Sequence, residues 1–65
     1  MEVILNGEPH TIDQTCSINE LVDSLQLDGK FAIELNQNIV PRSEFIDTRI
    51  QAGDKIEIVQ AIGGG

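Results

Sequence analysis

Cysteine, histidine, aromatic and basic residues are all scarce in this chain. Cys16 is its only cysteine and His10 its only histidine. One thiol cannot form a disulfide framework within the chain, and one cysteine with one histidine cannot supply the four ligands of a structural zinc site. The chain must therefore fold on its apolar core alone. Tryptophan and tyrosine are absent, and Phe31 and Phe45 are the two phenylalanines. No apolar run approaches the ~18 residues of a membrane-spanning helix. The start at Met1 and Glu2 also lacks the basic and apolar stretches of a secretory signal. Cytoplasm is the expected compartment, with no membrane partner. Four basic residues, Lys30, Arg42, Arg49 and Lys55, stand against eleven acidic ones, giving a formal net charge of -7. Such a chain repels phosphate backbones, so no nucleic acid partner is expected. The same charge would steer it toward a basic protein surface, although solubility alone also accounts for it.

A chain of 65 residues forms one domain and buries roughly 60% of the surface its unfolded form exposes. Its hydrophobic residues, 40% of the total, are mostly Ile, Leu and Val. Such a core favours strands with one helix.

Val3, Ile4 and Leu5 lie in a first strand over Glu2–Asn6, and Asn6–Gly7 is a dipeptide favoured in tight primed hairpin turns. The return arm is expected from about Pro9 to Asp13. Ser17 stands three residues before Glu20, the spacing of a capping box, which predicts a helix starting at Ile18. Ile18, Leu21, Val22 and Leu25 then form an i, i+3, i+4, i+7 apolar stripe. The predicted helix is about ten residues long, stopping at Asp28 and Gly29 with glycine as the left-handed cap. Phe31, Ile33 and Leu35 alternate with Ala32, Glu34 and Asn36, the period of a strand buried on one face. A turn is expected over Asn36–Asn38, and a short strand at Ile39 and Val40. Ser43–Thr48 reads equally as loop or helical turn. After a turn at Ala52–Asp54, Lys55–Gln60 alternates again, with Ile56 and Ile58 on one face. The order implies an α+β fold in which a mixed sheet of four to five strands carries one helix packed across it, its last strand parallel to its first.

Residues 1–60 thus form the expected domain and 61–65 a tail. Ala61, Ile62, Gly63, Gly64 and Gly65 contain no charged side chain and no helix or strand signal, so the tail is expected to project from the fold. Glycines without a Cβ let a thin backbone thread a narrow channel and bring the ionised, nucleophilic carboxylate of Gly65 up to a bound nucleotide.

With its hairpin, single helix, the Asn36–Arg42 segment NQNIVPR, the GDKIEIVQAI ending and the Gly64–Gly65 pair, the chain resembles the thiamine-biosynthesis sulfur carrier proteins of the ubiquitin-like β-grasp class. Gly63 departs from a bare diglycine by making the ending a triple glycine. The resemblance implies that an ATP-dependent adenylyltransferase, similar to ubiquitin-activating enzymes, adenylates Gly65. A persulfide sulfur donor would then convert it to a thiocarboxylate, and thiazole synthase would receive the sulfur. The chain itself would be a covalent cosubstrate, monomeric when free, binding no cofactor or metal, with ATP used by the activating enzyme. Ala61, Ile62, Gly63 and Gly64 would contact these partners. A molybdopterin-type sulfur carrier, a ubiquitin-like protein modifier and a noncovalent β-grasp interaction domain are the other readings.

The remaining chemistry-bearing residues have plainer readings. Cys16 has no basic neighbour in sequence to lower its pKa and reads as a small, partly buried residue. His10 lacks companions for a metal site or triad and reads as a surface histidine. Arg42 reads as a residue that balances local charge.

Overall fold

The computed structural model describes residues 1–13 and 16–60. Strands β1 (Glu2–Leu5) and β2 (Glu8–Thr11) pair antiparallel, with Glu2 opposite Thr11 and Leu5 opposite Glu8. Asn6 and Gly7 join them with φ of 51° and 83°, positive at both central positions as a primed turn requires. The return arm begins at Glu8 and ends at Thr11, earlier than the expected Asp13. Pro9 costs the ladder nothing. Its partner Ile4 turns its own N–H the other way, to the Asp54 carbonyl at 2.9 Å, so the missing proline N–H falls on the open edge.

Helix α1 (Ile18–Leu25) starts where the capping box predicts. The Ser17 hydroxyl accepts from the Glu20 N–H at 3.1 Å, and the Glu20 carboxylate accepts from the Ser17 N–H at 2.9 Å. Two further amide groups of the first turn reach outside the helix. Ile18 N–H donates to the Thr48 carbonyl at 2.9 Å and Asn19 N–H to the Phe45 carbonyl at 3.1 Å. The first-turn donors that lack an intrahelical acceptor are thereby satisfied, partly by the segment that the sequence left open. That segment forms a single 3-10 turn, Arg42–Glu44, and then turns on to Thr48. Its course sinks Phe45 into the core, 6% exposed.

The helix stops earlier than its sequence suggests. Its left-handed residue is Gln26, with φ 55°, and not Gly29. Gln26 N–H donates to the Asp23 carbonyl and Leu27 N–H to that of Val22, the paired bonds of a Schellman ending. Half-buried Leu27 and Val22 line the same surface hollow. Tucking in Leu27 requires the chain to reverse at Gln26, which outweighs the cost of a non-glycine residue in the left-handed region. Gly29 does have a positive φ, 76°, but in the link to the next strand.

Strands β3 (Phe31–Leu35) and β4 (Asn38–Val40) form a second hairpin through Asn36 and Gln37, again with positive φ at both residues, 51° and 73°. Strand β5 (Lys55–Gln60) pairs parallel with β1 and antiparallel with β3, completing among the described residues one five-stranded sheet of order β2-β1-β5-β3-β4. Val3, Ile33 and Ile56 of the sheet bury against Ile18 and Leu21 of the helix, with Phe45 and Ile50 closing the end. Each such buried side chain stabilises the fold by roughly 1.5–3 kcal/mol. No helix among the described residues is long and apolar enough to cross a membrane.

The capping box gives a test. Ser17→Ala should lower stability by about 1 kcal/mol, read as a shift in the urea midpoint. The Ser17 N–H holds the Glu20 carboxyl below its ordinary pKa, with Arg49 adding to the effect. Because the folded pKa is depressed, this contribution is present above the unfolded pKa and lost as pH falls through the folded one. Glu20→Gln should therefore be less stable than the parent at neutral pH, with the difference shrinking in acid; a constant difference would contradict the assignment.

Candidate functional site

The residues expected to do chemistry or to dock, Gly65 with Ala61, Ile62, Gly63 and Gly64, lie outside the described residues. The structure describes the platform that leads into them, strand β5. It occupies the middle of the sheet, and β3 accompanies it to its last residue, with Phe31 opposite Gln60.

On its other side β5 outlasts its partner. The parallel register with β1 covers Ile4 opposite Lys55 and Leu5 opposite Ile56, after which β1 turns away. Asn6 adds one more rung. Its backbone N–H donates to the Ile56 carbonyl at 2.9 Å, while its side-chain Oδ1 accepts from the Ile58 N–H at 2.8 Å. In a regular parallel ladder the residue's own carbonyl would accept that second bond. At φ 51° the Asn6 backbone has left the strand, and the side-chain amide oxygen takes the place of the carbonyl. Asn36 does the same at the other end of β5, on the opposite side. Its N–H donates to the Lys55 carbonyl at 2.8 Å, and its Oδ1 accepts from the Lys55 N–H at 3.0 Å. From sequence both asparagines read only as turn formers. The strand partner of Asn6 is 52 positions away, and nothing local signals it.

The helix side of the β5 end is a hollow lined by Leu5, Asn6, Leu25, Leu27, Ile58 and Gln60. The sheet's outer face is open. Ile39 is 70% exposed and Val59 55%. Glu34 stands between Glu57 and Ile39 in register, so two carboxylates face each other directly across β3 and β5, an unfavourable pairing in an isolated sheet.

The other residues singled out from sequence fall into different settings. Cys16 is half-buried, and its thiol is pushed above its ordinary pKa by burial and then by the Glu20 charge. The Ser17–Arg49 bridge brings a basic group near after all, but Arg49 only partly opposes the rise and also pairs with Glu20 at 3.5 Å. His10 is half-buried, contrary to its reading as a surface histidine. It lies opposite Val3 on the helix side of the sheet and lines a shallow hollow with Cys16, Glu20 and Leu21. No group of three His, Cys, Asp or Glu residues among the described residues could hold a metal. Arg42 does more than balance charge. Its guanidinium lies 4.6 Å from the Phe31 ring centroid and donates to the Gly29 carbonyl at 3.2 Å. Phe31 in turn stacks on Phe45, with centroids 6.3 Å apart. Arg42 therefore caps the aromatic end of the core.

A mixed five-stranded sheet of this order with a single helix defines a ubiquitin-like β-grasp protein. The chain belongs to the ThiS family, whose sequence profile matches residues 3–65. It is 32% identical to the sulfur carrier protein ThiS of Escherichia coli (strain K12), covering 100% of both chains. A crystal structure of a thiamine biosynthesis protein (ThiS) from Geobacter metallireducens superposes with a TM-score of 0.87 at 30% identity, over 100% of both chains. The chain is also 38% identical to part of a thiazole synthase from Paramagnetospirillum magneticum, spanning 20% of that protein's length.

The setting of Cys16 predicts its reactivity. A raised pKa leaves little thiolate at neutral pH. Iodoacetamide should therefore modify the native protein more slowly than the urea-unfolded chain, with the gap narrowing as pH rises through the raised pKa. Mass spectrometry of the adduct would check this, and faster modification of the native form would refute it.

Proposed function

We propose that this chain is a sulfur carrier for thiamine (thiazole) biosynthesis and that its reactive group is the carboxylate of Gly65. The observation that carries the reading is the family match over residues 3–65, which takes in the terminal glycines. The fold adds a physical reason. The core of the described residues is filled by Val3, Ile18, Leu21, Ile33, Phe45, Ile50 and Ile56, which suits a domain that presents its reactive group to other proteins.

In the proposed cycle a ubiquitin-activating-like adenylyltransferase joins the Gly65 carboxylate to AMP from ATP, releasing pyrophosphate and making the carboxylate oxygen a leaving group. The terminal sulfur of a persulfide donor attacks the carbonyl carbon and displaces AMP, giving an acyl disulfide. A thiol then reduces the S–S bond, itself ending in a disulfide, and leaves the thiocarboxylate on Gly65. Thiazole synthase takes the sulfur from there. The thiazole synthase that contains a segment similar to this chain supports that acceptor. The chain is a cosubstrate throughout, and the ATP is bound by its activating enzyme. The net charge of -7 and the outer face with Glu34 and Glu57 beside Ile39 and Val59 suit a partner surface that is basic around an apolar centre.

The test is intact mass with C-terminal fragmentation after incubation with ATP, a persulfide source and the activating enzyme. Exchange of one oxygen for sulfur, confined to Gly65, is expected; an unmodified tail, with the enzyme active on a control carrier, would overturn the proposal. Deleting Gly65 should abolish the exchange and leave the melting temperature unchanged, because β5 ends at Gln60.

A further inference from the structure

We propose that Asn6 is a positioning residue for the reactive group: its side chain holds the end of β5 in line and so fixes the strand end to which residues 61–65 are joined. The proposal rests on the carrier reading for what the arm does, and on the ladder geometry for how it is aimed.

Beyond Leu5 no strand flanks β5 on the β1 side among the described residues. The Ile58 amide, which points to that side, would then have no backbone acceptor in a flanking strand. The Asn6 Oδ1 supplies the missing acceptor at 2.8 Å, while the same residue's N–H grips the Ile56 carbonyl at 2.9 Å. Asn6 is tied into the hairpin turn between β1 and β2, so this grip refers the strand end to the rigid part of the sheet. Ile58 is two residues before the last residue of the strand, and Gln60 adjoins the arm directly. A swing at Ile58 would move everything after it, away from the β3 partner or toward the hollow. The side chain that prevents the swing also has to tolerate a positive φ, which asparagine does and most residues do not. Asn36 provides an internal comparison. It grips β5 by the same device, but at Lys55, the end remote from the arm.

The predicted difference between the two asparagines is kinetic. Asn6→Gly keeps the positive φ and loses the acceptor, and Asn6→Asp keeps both. At a temperature where all variants are fully folded, Asn6→Gly should raise KM for the carrier in the adenylation reaction about fivefold, the size of one ordinary hydrogen bond, with kcat little changed. Asn6→Asp should restore KM. Asn36→Gly should lower the melting temperature comparably and leave KM at the parent value. An unchanged KM in Asn6→Gly, or an equal rise in Asn36→Gly, would overturn the positioning role and leave Asn6 as a sheet stabiliser only. Amide relaxation separates this from failure of the carrier reading. If the parent chain is never adenylated, the carrier reading fails, and the aiming role is decided by whether Asn6→Gly, but not Asn36→Gly, mobilises the Val59 and Gln60 amides. No mobilisation there would overturn it as well.

Discussion

The parallel pairing of β1 with β5 joins opposite ends of the chain in one sheet, and the rest of the fold is arranged so that it can form. Bringing positions 4 and 55 together closes almost the whole chain into a loop, whose entropic cost grows only slowly with length but must be met before the contact returns anything. No disulfide offsets it. The ladder itself is short, two residue pairs, and parallel pairing is slightly weaker per residue than antiparallel. It holds because side chains extend it at both ends. Asn6 adds a rung beyond Leu5. At the other end Asp54 ties down the turn that leads into β5, accepting from the Gln51 N–H at 2.7 Å and from the Asn36 side chain at 3.1 Å, while Gly53 N–H bonds the Glu2 carbonyl at 2.8 Å.

The same economy governs the core. Ser17 is the one buried polar residue among those described, and no buried side-chain nitrogen or oxygen there lacks a partner. An orphaned group in so small a domain would cancel a sizeable share of its net stability. The helix start is where this could have failed, because four amides point away from any helical carbonyl. Two are met by the reciprocal Ser17 and Glu20 bonds, and the other two by carbonyls of the Phe45–Thr48 stretch. The helix, the cap and the irregular segment therefore form a unit in which none is satisfied alone.

That coupling explains which parts of the fold were legible in the sequence. The capping box, the Asn-Gly turn, the alternation in β3 and β5 and the short β4 are set by residues within a few positions of one another, and the structure follows them. The helix end depends on where Leu27 can be tucked against Val22, so Gly29, the better left-handed residue, loses to Gln26. The Phe45 segment could not be assigned because its hydrogen bonds go to the helix start, and Arg42 was misread because its ring partner lies on another element. The candidate site divides the same way. The glycine ending is a property of the sequence alone, whereas the two asparagine grips on β5 exist only once distant strands are paired.

Under the proposed function the reactive end has to be reachable and the surface recognisable to partner enzymes, and these demands conflict if one segment meets both. Strand β5 separates them. Its side chains Glu57 and Val59 belong to the open outer face, Ile56 and Ile58 belong to the core side, and its backbone is gripped by neighbours on both sides. An edge strand such as β2 or β4 is held along one side only, so an arm attached there would inherit whatever fraying the edge allows. Running the arm from the middle of the sheet means that a partner docked on the outer face meets it at a defined origin.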